Sequence, residues 1–199
     1  MGTPLPFRLT LASGSFGRRA LLEQAGYTFA VQPADIDEPT DTAFGDIRHY
    51  VGDTAWRKAA KVAPTVADGL VLSADTVAWM HGHVIGKPVD RADAKRILQM
   101  LSGSVHELWT GVVLWHRPSD RQMIWQERSL VAMRAVSDAE LEAYLDTNQW
   151  VGASGGYCIR ETDDPFLTIV DGSMSNVIGL PMESLAVAFA DWERILTPR

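Results

Sequence analysis

Apolar positions along the chain switch between runs of strand length and spacings of helical period, and the switches mark the elements. Leu9-Thr-Leu-Ala12 is an apolar run that breaks at Ser13-Gly14-Ser15 and turns into a helical pattern with Arg18 and Arg19 in its first turn. This predicts a strand, a tight loop and a helix start. From Thr28 a second short strand leads into the acidic loop Ala34 to Asp41, punctuated by Pro33 and Pro39. Asp46 then opens a helix with Ile47, Tyr50, Val51, Ala55, Ala59 and Val62 near helical spacing, ending before Pro64. Leu70-Val-Leu-Ser-Ala74 is a continuous apolar run, expected as a strand buried on both faces and ending on Asp75-Thr76.

Further along, Val77 to Met80 and Val84-Ile85 flank His81-Gly-His83 as a hairpin, and Asp90 caps a helix over Arg91 to Leu101 that stops at Ser102-Gly103. Val105 to His116 and Gln122 to Arg134 read as two long strands joined by a turn at Arg117-Pro-Ser-Asp120. Ser137-Asp-Ala-Glu140 is a capping box, so a helix carrying Leu141, Tyr144 and Leu145 on one face follows. After the glycine-rich Trp150 to Tyr157 come a strand over Phe166 to Val170, a polar turn over Gly172 to Pro181, and a last helix that Pro181 can start. Strands alternating with helices around a central hairpin indicate an α/β fold with a mixed sheet.

The length of 199 residues fits one domain, or two small lobes sharing a core, and the 46% apolar content is that of a globular protein. Met1 to Phe7 shows no secretory pattern, and the apolar runs fall far short of the roughly 20 residues of a membrane span. A cytoplasmic protein with no membrane partner is therefore expected. Cys158 is the only cysteine, which excludes an intrachain disulfide and a cysteine-based zinc site. A formal charge of −7 argues against binding a nucleic-acid polymer, which needs a basic face. An anionic ligand must instead be held by a local cluster of cations.

The first strand-to-helix junction is such a place. Backbone N–H groups and the positive end of a helix dipole converge there, and the small residues Ser13, Gly14 and Ser15 admit a ligand closely. Arg18 and Arg19 add charge in the fork geometry that suits phosphate or carboxylate. An ordinary turn with Ser15 as N-cap and two solvated arginines explains the same residues. With the other polar groups at element ends, namely Glu38, Lys58, Asp75, Thr76, Lys87 and Asn176, the mixture is that of phosphate chemistry. Cations neutralise phosphate oxygens while carboxylates hold Mg²⁺ or orient a water.

The order of the segments adds to this. Leu-Ala-Ser-Gly-Ser with Arg18 three residues on, Asp37-Glu38-Pro39, Arg57-Lys58-Ala59, Ser73-Ala-Asp-Thr76, Gly86-Lys-Pro88, Leu101-Ser-Gly103 with His106 and Thr110-Gly111, and Asn176-Val-Ile-Gly-Leu-Pro181 follow one another along the chain. In that order they resemble the Maf family of nucleoside triphosphate pyrophosphatases over nearly the whole length. The resemblance implies a single Maf-like domain over residues 1–199, an elongated two-lobed mixed sheet flanked by helices. It also implies an inosine-triphosphatase-like fold with a cleft between the lobes, a divalent metal cation (Mg or Mn) and a homodimer. By position, Arg18 matches the phosphate-binding arginine, and Glu38 and Asp75 match the acidic pair for metal and water. Lys58 and Lys87 match the lysines on the triphosphate. The reaction so implied is hydrolysis between the α and β phosphates of a nucleoside triphosphate, with Asp75, Glu38 and Lys87 catalytic. Ser13, Ser15, Arg18, Lys58, Thr76, Arg160 and Asn176 would bind substrate. The alternative is a non-catalytic nucleotide-binding or cell-division regulatory protein on the same fold.

Two departures bear on substrate choice. The position ahead of Arg18, which helps distinguish substrate classes in the family, is Gly17 and has no side chain. The segment usually reading Lys-Ala-Gly-Ala-Tyr-Gly-Ile-Gln is here Ala153-Ser-Gly-Gly-Tyr-Cys-Ile-Arg160, with no lysine and with an arginine at the base-reading end. Guanidinium has only donors, so Arg160 would restore charge or select a base presenting acceptors. Neither the family's thymidine/uridine nor its methylguanosine preference therefore carries over from the motifs.

Other patterns carry less. Gly152-Ala-Ser-Gly-Gly156 fits the nucleophile-elbow spacing of serine hydrolases, yet all five histidines precede Ser154. His81-x-His83 lacks a third metal ligand and reads as a hairpin tip, and His106 reads as a structural residue or one supporting a site residue, in preference to a base. Of the tryptophans, Trp150 beside the glycine-rich segment is the candidate for base stacking.

Overall fold

The computed structural model describes residues 5–37, 45–159 and 163–196. Seven strands form one sheet: β1 (Leu9–Leu11), β2 (Ala30–Val31), β3 (Gly69–Met80), β4 (His83–Ile85), β5 (Val105–Arg117), β6 (Gln122–Met133) and β7 (Leu167–Asp171). Their order is β2-β1-β3-β5-β6-β7, with β4 paired to β3. β1 runs parallel to β2 and to β3, with Leu11 opposite Leu72, whereas β3–β4 and β6–β7 are antiparallel. The helices are α1 (Phe16–Gln24), α2 (Ile47–Val62), α3 (Arg91–Leu101), α4 (Asp138–Asp146), α5 (Met174–Ile178) and α6 (Met182–Leu196). The class is the expected mixed α/β.

Helix starts follow the capping residues of the sequence. Ser15, Asp46 and Asp90 each accept a bond from a backbone N–H of the first turn, satisfying a donor that the helix cannot. At α4 both halves of the capping box form. The Glu140 carboxyl is held down to about 2, first by Arg134 and then by Ser137.

Two expectations need correction. β3 does not end at Asp75-Thr76 but runs without a break into the Val77–Met80 arm of the expected hairpin, where Ala78, Trp79 and Met80 pair with β4. The turn over 172–181 contains α5, whose start is capped by the Ser173 hydroxyl accepting from Asn176 N.

The chain divides into two compact units, one of Met1–Asp75, Thr110–Glu127 and Gly179–Arg199, the other of Thr76–Trp109 and Arg128–Ile178. In the first, Ala12, Ala55, Ala59, Val62, Ala63, Val71 and Val113 form a core of mostly small side chains between α2 and the strands. In the second the core is bulkier, with Ile97, Leu98 and Leu101 of α3 and Leu141 and Leu145 of α4 against Leu108, Val131 and Met133. Among the described residues no helix is long and apolar enough to cross a membrane.

Candidate functional site

The parallel strands of the first unit set the location. In parallel α/β arrangements ligands bind beyond the carboxyl ends of the strands. Here β1 delivers Ser13 to that end, and Asp75 lies beside it in the middle of the neighbouring β3, just past the stretch paired with β1. Ala12 N still bonds Leu72 O at 2.7 Å, so the two segments remain paired up to the loop.

The loop after β1 is folded around Ser13. Its Oγ accepts from Ser15 N at 3.2 Å and from the Arg18 guanidinium at 3.0 Å, while Ser15 Oγ accepts from Arg18 N. Arg18 is itself buried, and its Nε donates to Gly179 O at 2.8 Å. Two protein acceptors thus hold the guanidinium beside the N-terminus of α1, where a preset cation and a helix dipole favour an anion. Phe16, the first residue of α1, is 80% exposed.

Opposite polarity enters one strand away. Asp75 and Lys58 are both buried, and Lys58 Nζ donates to Asp75 Oδ1 at 2.7 Å. Two features bring α2 to this depth. Val51, Ala55 and Lys58 follow at i, i+4 and i+7, which places them on one face. The Ser73 hydroxyl on β3 donates to Ala55 O at 2.6 Å. Burying an ion pair costs desolvation that its attraction rarely recovers, so its presence beside the loop after β1 makes it a candidate for chemistry.

Three predicted residues belong to the second unit. Thr76 is half-buried, and its carbonyl accepts from Ser154 Oγ at 2.9 Å, tying the glycine-rich turn to β3. Lys87 is exposed in the segment between β4 and α3. Asn176 is buried, and its Nδ2 donates to Ser129 Oγ at 2.9 Å and to Leu108 O at 3.5 Å, contacts that anchor α5 to the strands of its unit. Glu38 and Arg160 lie outside the described residues. Among the described residues no three His, Cys, Asp or Glu side chains gather as a metal cage.

The second unit also holds a neutral buried pair. His106 Nε2 lies 2.5 Å from the Tyr157 hydroxyl, and burial lowers the imidazole to about 4 while pushing the phenol up. Both therefore stay uncharged at neutral pH. Trp150 donates its indole N–H to Leu145 O at 3.0 Å, and its ring packs against the core of this unit.

A serine-glycine loop braced by a buried arginine, on the strand next to a buried lysine–aspartate pair, gives this α/β protein an arrangement suited to a phosphorylated ligand. Residues 8–192 match the family model described as Maf-like protein, and the chain belongs to that family. A dTTP/UTP pyrophosphatase of Rhodopirellula baltica is 41% identical over 202 residues, covering 99% of this chain and 89% of that protein. A dTTP/UTP pyrophosphatase of Pelotomaculum thermopropionicum is 35% identical over 178 residues, covering 89% of this chain and 93% of the other. Among solved structures, the nucleoside-triphosphatase / dITP/XTP pyrophosphatase of Mycobacterium abscessus aligns over 96% of this chain and 100% of that chain. Its identity is 14% and its TM-score 0.43.

Proposed function

We propose that this protein is a nucleoside triphosphate pyrophosphatase that hydrolyses dTTP and UTP between the α and β phosphates. A water oxygen bonds to the α phosphorus, the bridging bond to the β phosphate breaks, and the products are a nucleoside monophosphate and pyrophosphate. The observation that carries this reading is the buried Lys58–Asp75 pair on the strand next to the Ser13–Arg18 loop. The pyrimidine choice rests on the names of the relatives at 41% and 35% identity.

In this reading Ser13, Ser15, Arg18 and the N-terminus of α1 take phosphate oxygens, and Lys58 and Lys87 neutralise the triphosphate. Asp75 accepts the proton of the attacking water or orients it, with Lys58 holding the carboxylate in place. Thr76, Asn176 and Arg160 are assigned to the nucleotide. Mg²⁺ is held well by one or two carboxylates plus substrate phosphates, without an all-protein cage. Asp75 supplies such a hard oxygen donor, so it and Glu38 would hold Mg²⁺ or Mn²⁺. When bound, the metal would neutralise charge on the phosphate oxygens.

The test is pyrophosphate release from dTTP, UTP and a panel of other nucleoside triphosphates, with Mg²⁺, with Mn²⁺ and with neither. Turnover of the pyrimidine substrates that needs metal and vanishes in Asp75→Asn is the expected result. Absence of turnover on every substrate and metal would leave a nucleotide-binding protein instead.

A further inference from the structure

The depth at which α2 meets the sheet is set by a residue with no chemistry of its own. A Cβ built on Gly111 of β5 would lie 2.2 Å from Val51 O, 2.4 Å from Val51 C and 2.7 Å from Gly52 N. These are backbone atoms of α2, so a side chain at Gly111 cannot be accommodated by a rotamer change and the helix itself must retreat. The face that would retreat carries Val51, Ala55 and Lys58, and Lys58 lies two turns beyond the point of contact.

We propose that Gly111 is a positioning residue, seating α2 on the sheet at the depth at which Lys58 reaches Asp75. Ser73, through its bond to Ala55 O, works to the same end one turn before Lys58. The neighbouring glycine has a different part. A Cβ on Gly52 would meet only Gln126 Nε2 at 3.0 Å, the far end of a flexible side chain that can swing aside. Two glycines at one contact thus differ in what they exclude. The catalytic consequence rests on the proposed pyrophosphatase reading, whereas the geometric one does not.

The experiment compares Gly111→Ala with Gly52→Ala. In a crystal structure of Gly111→Ala the Lys58 Nζ to Asp75 Oδ1 separation is expected to exceed hydrogen-bond range, and kcat/KM for pyrophosphate release to fall at least tenfold. Gly52→Ala is expected to keep both. Binding of inorganic tripolyphosphate, measured by calorimetry, should weaken on Gly111→Ala in the wild-type background and not in the Lys58→Met background, because the glycine acts through that lysine. A merely structural glycine would weaken binding equally in both. Retention of the 2.7 Å contact in Gly111→Ala overturns the inference, as does an equal loss in Gly52→Ala. Should Gly111→Ala not fold, Ser73→Ala loosens the same helix without a clash and must show the same dependence on Lys58. If the wild-type protein turns over no nucleoside triphosphate, the pyrophosphatase reading fails, and the crystallographic separation still decides the role of Gly111.

Discussion

The two units each bury a hydrogen-bonded polar pair, and the pairs are of opposite kinds. Lys58–Asp75 is ionic, and it lies on β3 just past the stretch paired with β1, where α2 packs on the strands through small side chains such as Ala55 and Ala59. His106–Tyr157 is neutral, and it lies within a core of leucine, isoleucine and methionine. A neutral pair in a dry core requires only that its hydrogen bond be made. An ion pair in the same setting must offset the desolvation of two charges, and apolar residues of like volume would often be at least as stable. The comparison teaches where to look for chemistry: the pair that stability alone does not favour is the one to test for function.

The largest expected effect is catalytic. Asp75→Asn keeps the shape of the side chain and removes its charge, so pyrophosphate release should fall by about 10²–10⁴-fold, the usual contribution of a positioned base. Equal turnover in the mutant would remove Asp75 from that role. Next comes the cost of breaking the pair by halves. Lys58→Met leaves a buried carboxylate unpartnered and should destabilise by about 3–5 kcal/mol, while Lys58→Met combined with Asp75→Leu should recover stability to wild-type or better. Urea unfolding of the single and double variants checks this, and a double variant no more stable than the single would make the pair a structural one.

The neutral pair predicts a pH dependence instead. His106 titrates near 4 in the folded protein and near 6.5 when unfolded, so between these values the unfolded chain binds the extra proton. Stability is therefore fully present above pH 6.5 and falls as the pH drops towards 4, by about 3 kcal/mol from this group. His106→Phe should flatten that part of the curve while costing about 1–3 kcal/mol at pH 7, because the Tyr157 hydroxyl loses its partner. Unfolding free energies of both proteins between pH 4 and 7 measure it, and parallel curves would refute it. The smallest effect is local: Ser137→Ala removes the cap of α4 and should lower stability by about 1 kcal/mol with kcat/KM unchanged.

Much of the fold was legible in the sequence because its signals are local. Ser15, Asp46, Asp90 and the Ser137–Glu140 box announce helix starts through bonds to their own first turns, and these form. The long hairpin of β5 and β6 followed from its strand-like runs and intervening turn. What failed was non-local. Asp75 read as the end of a strand, because nothing within the run shows that a lysine 17 residues earlier will partner it. α5 was missed because its Ser173 cap stands in a stretch rich in glycine and serine, although Ser173 three residues before Asn176 is the signal that could have found it.

The site divides in the same way. Residue types and their order by themselves determined a serine-glycine loop before a helix with Arg18 in its first turn, and made Lys58 and Asp75 candidates for phosphate chemistry. Ser73 and Gly111 stand in the same motifs, yet nothing in their own chemistry says what they do. Only the tertiary structure decided that Lys58 meets Asp75 in a buried bond, that Arg18 is braced by Ser13 and Gly179, and that Gly111 touches the backbone of α2. The physical reason is range. Caps, turns and hydrophobic period act over a few residues and are written where they act, whereas packing depth arises where distant segments meet and is set by the volume that neither side fills.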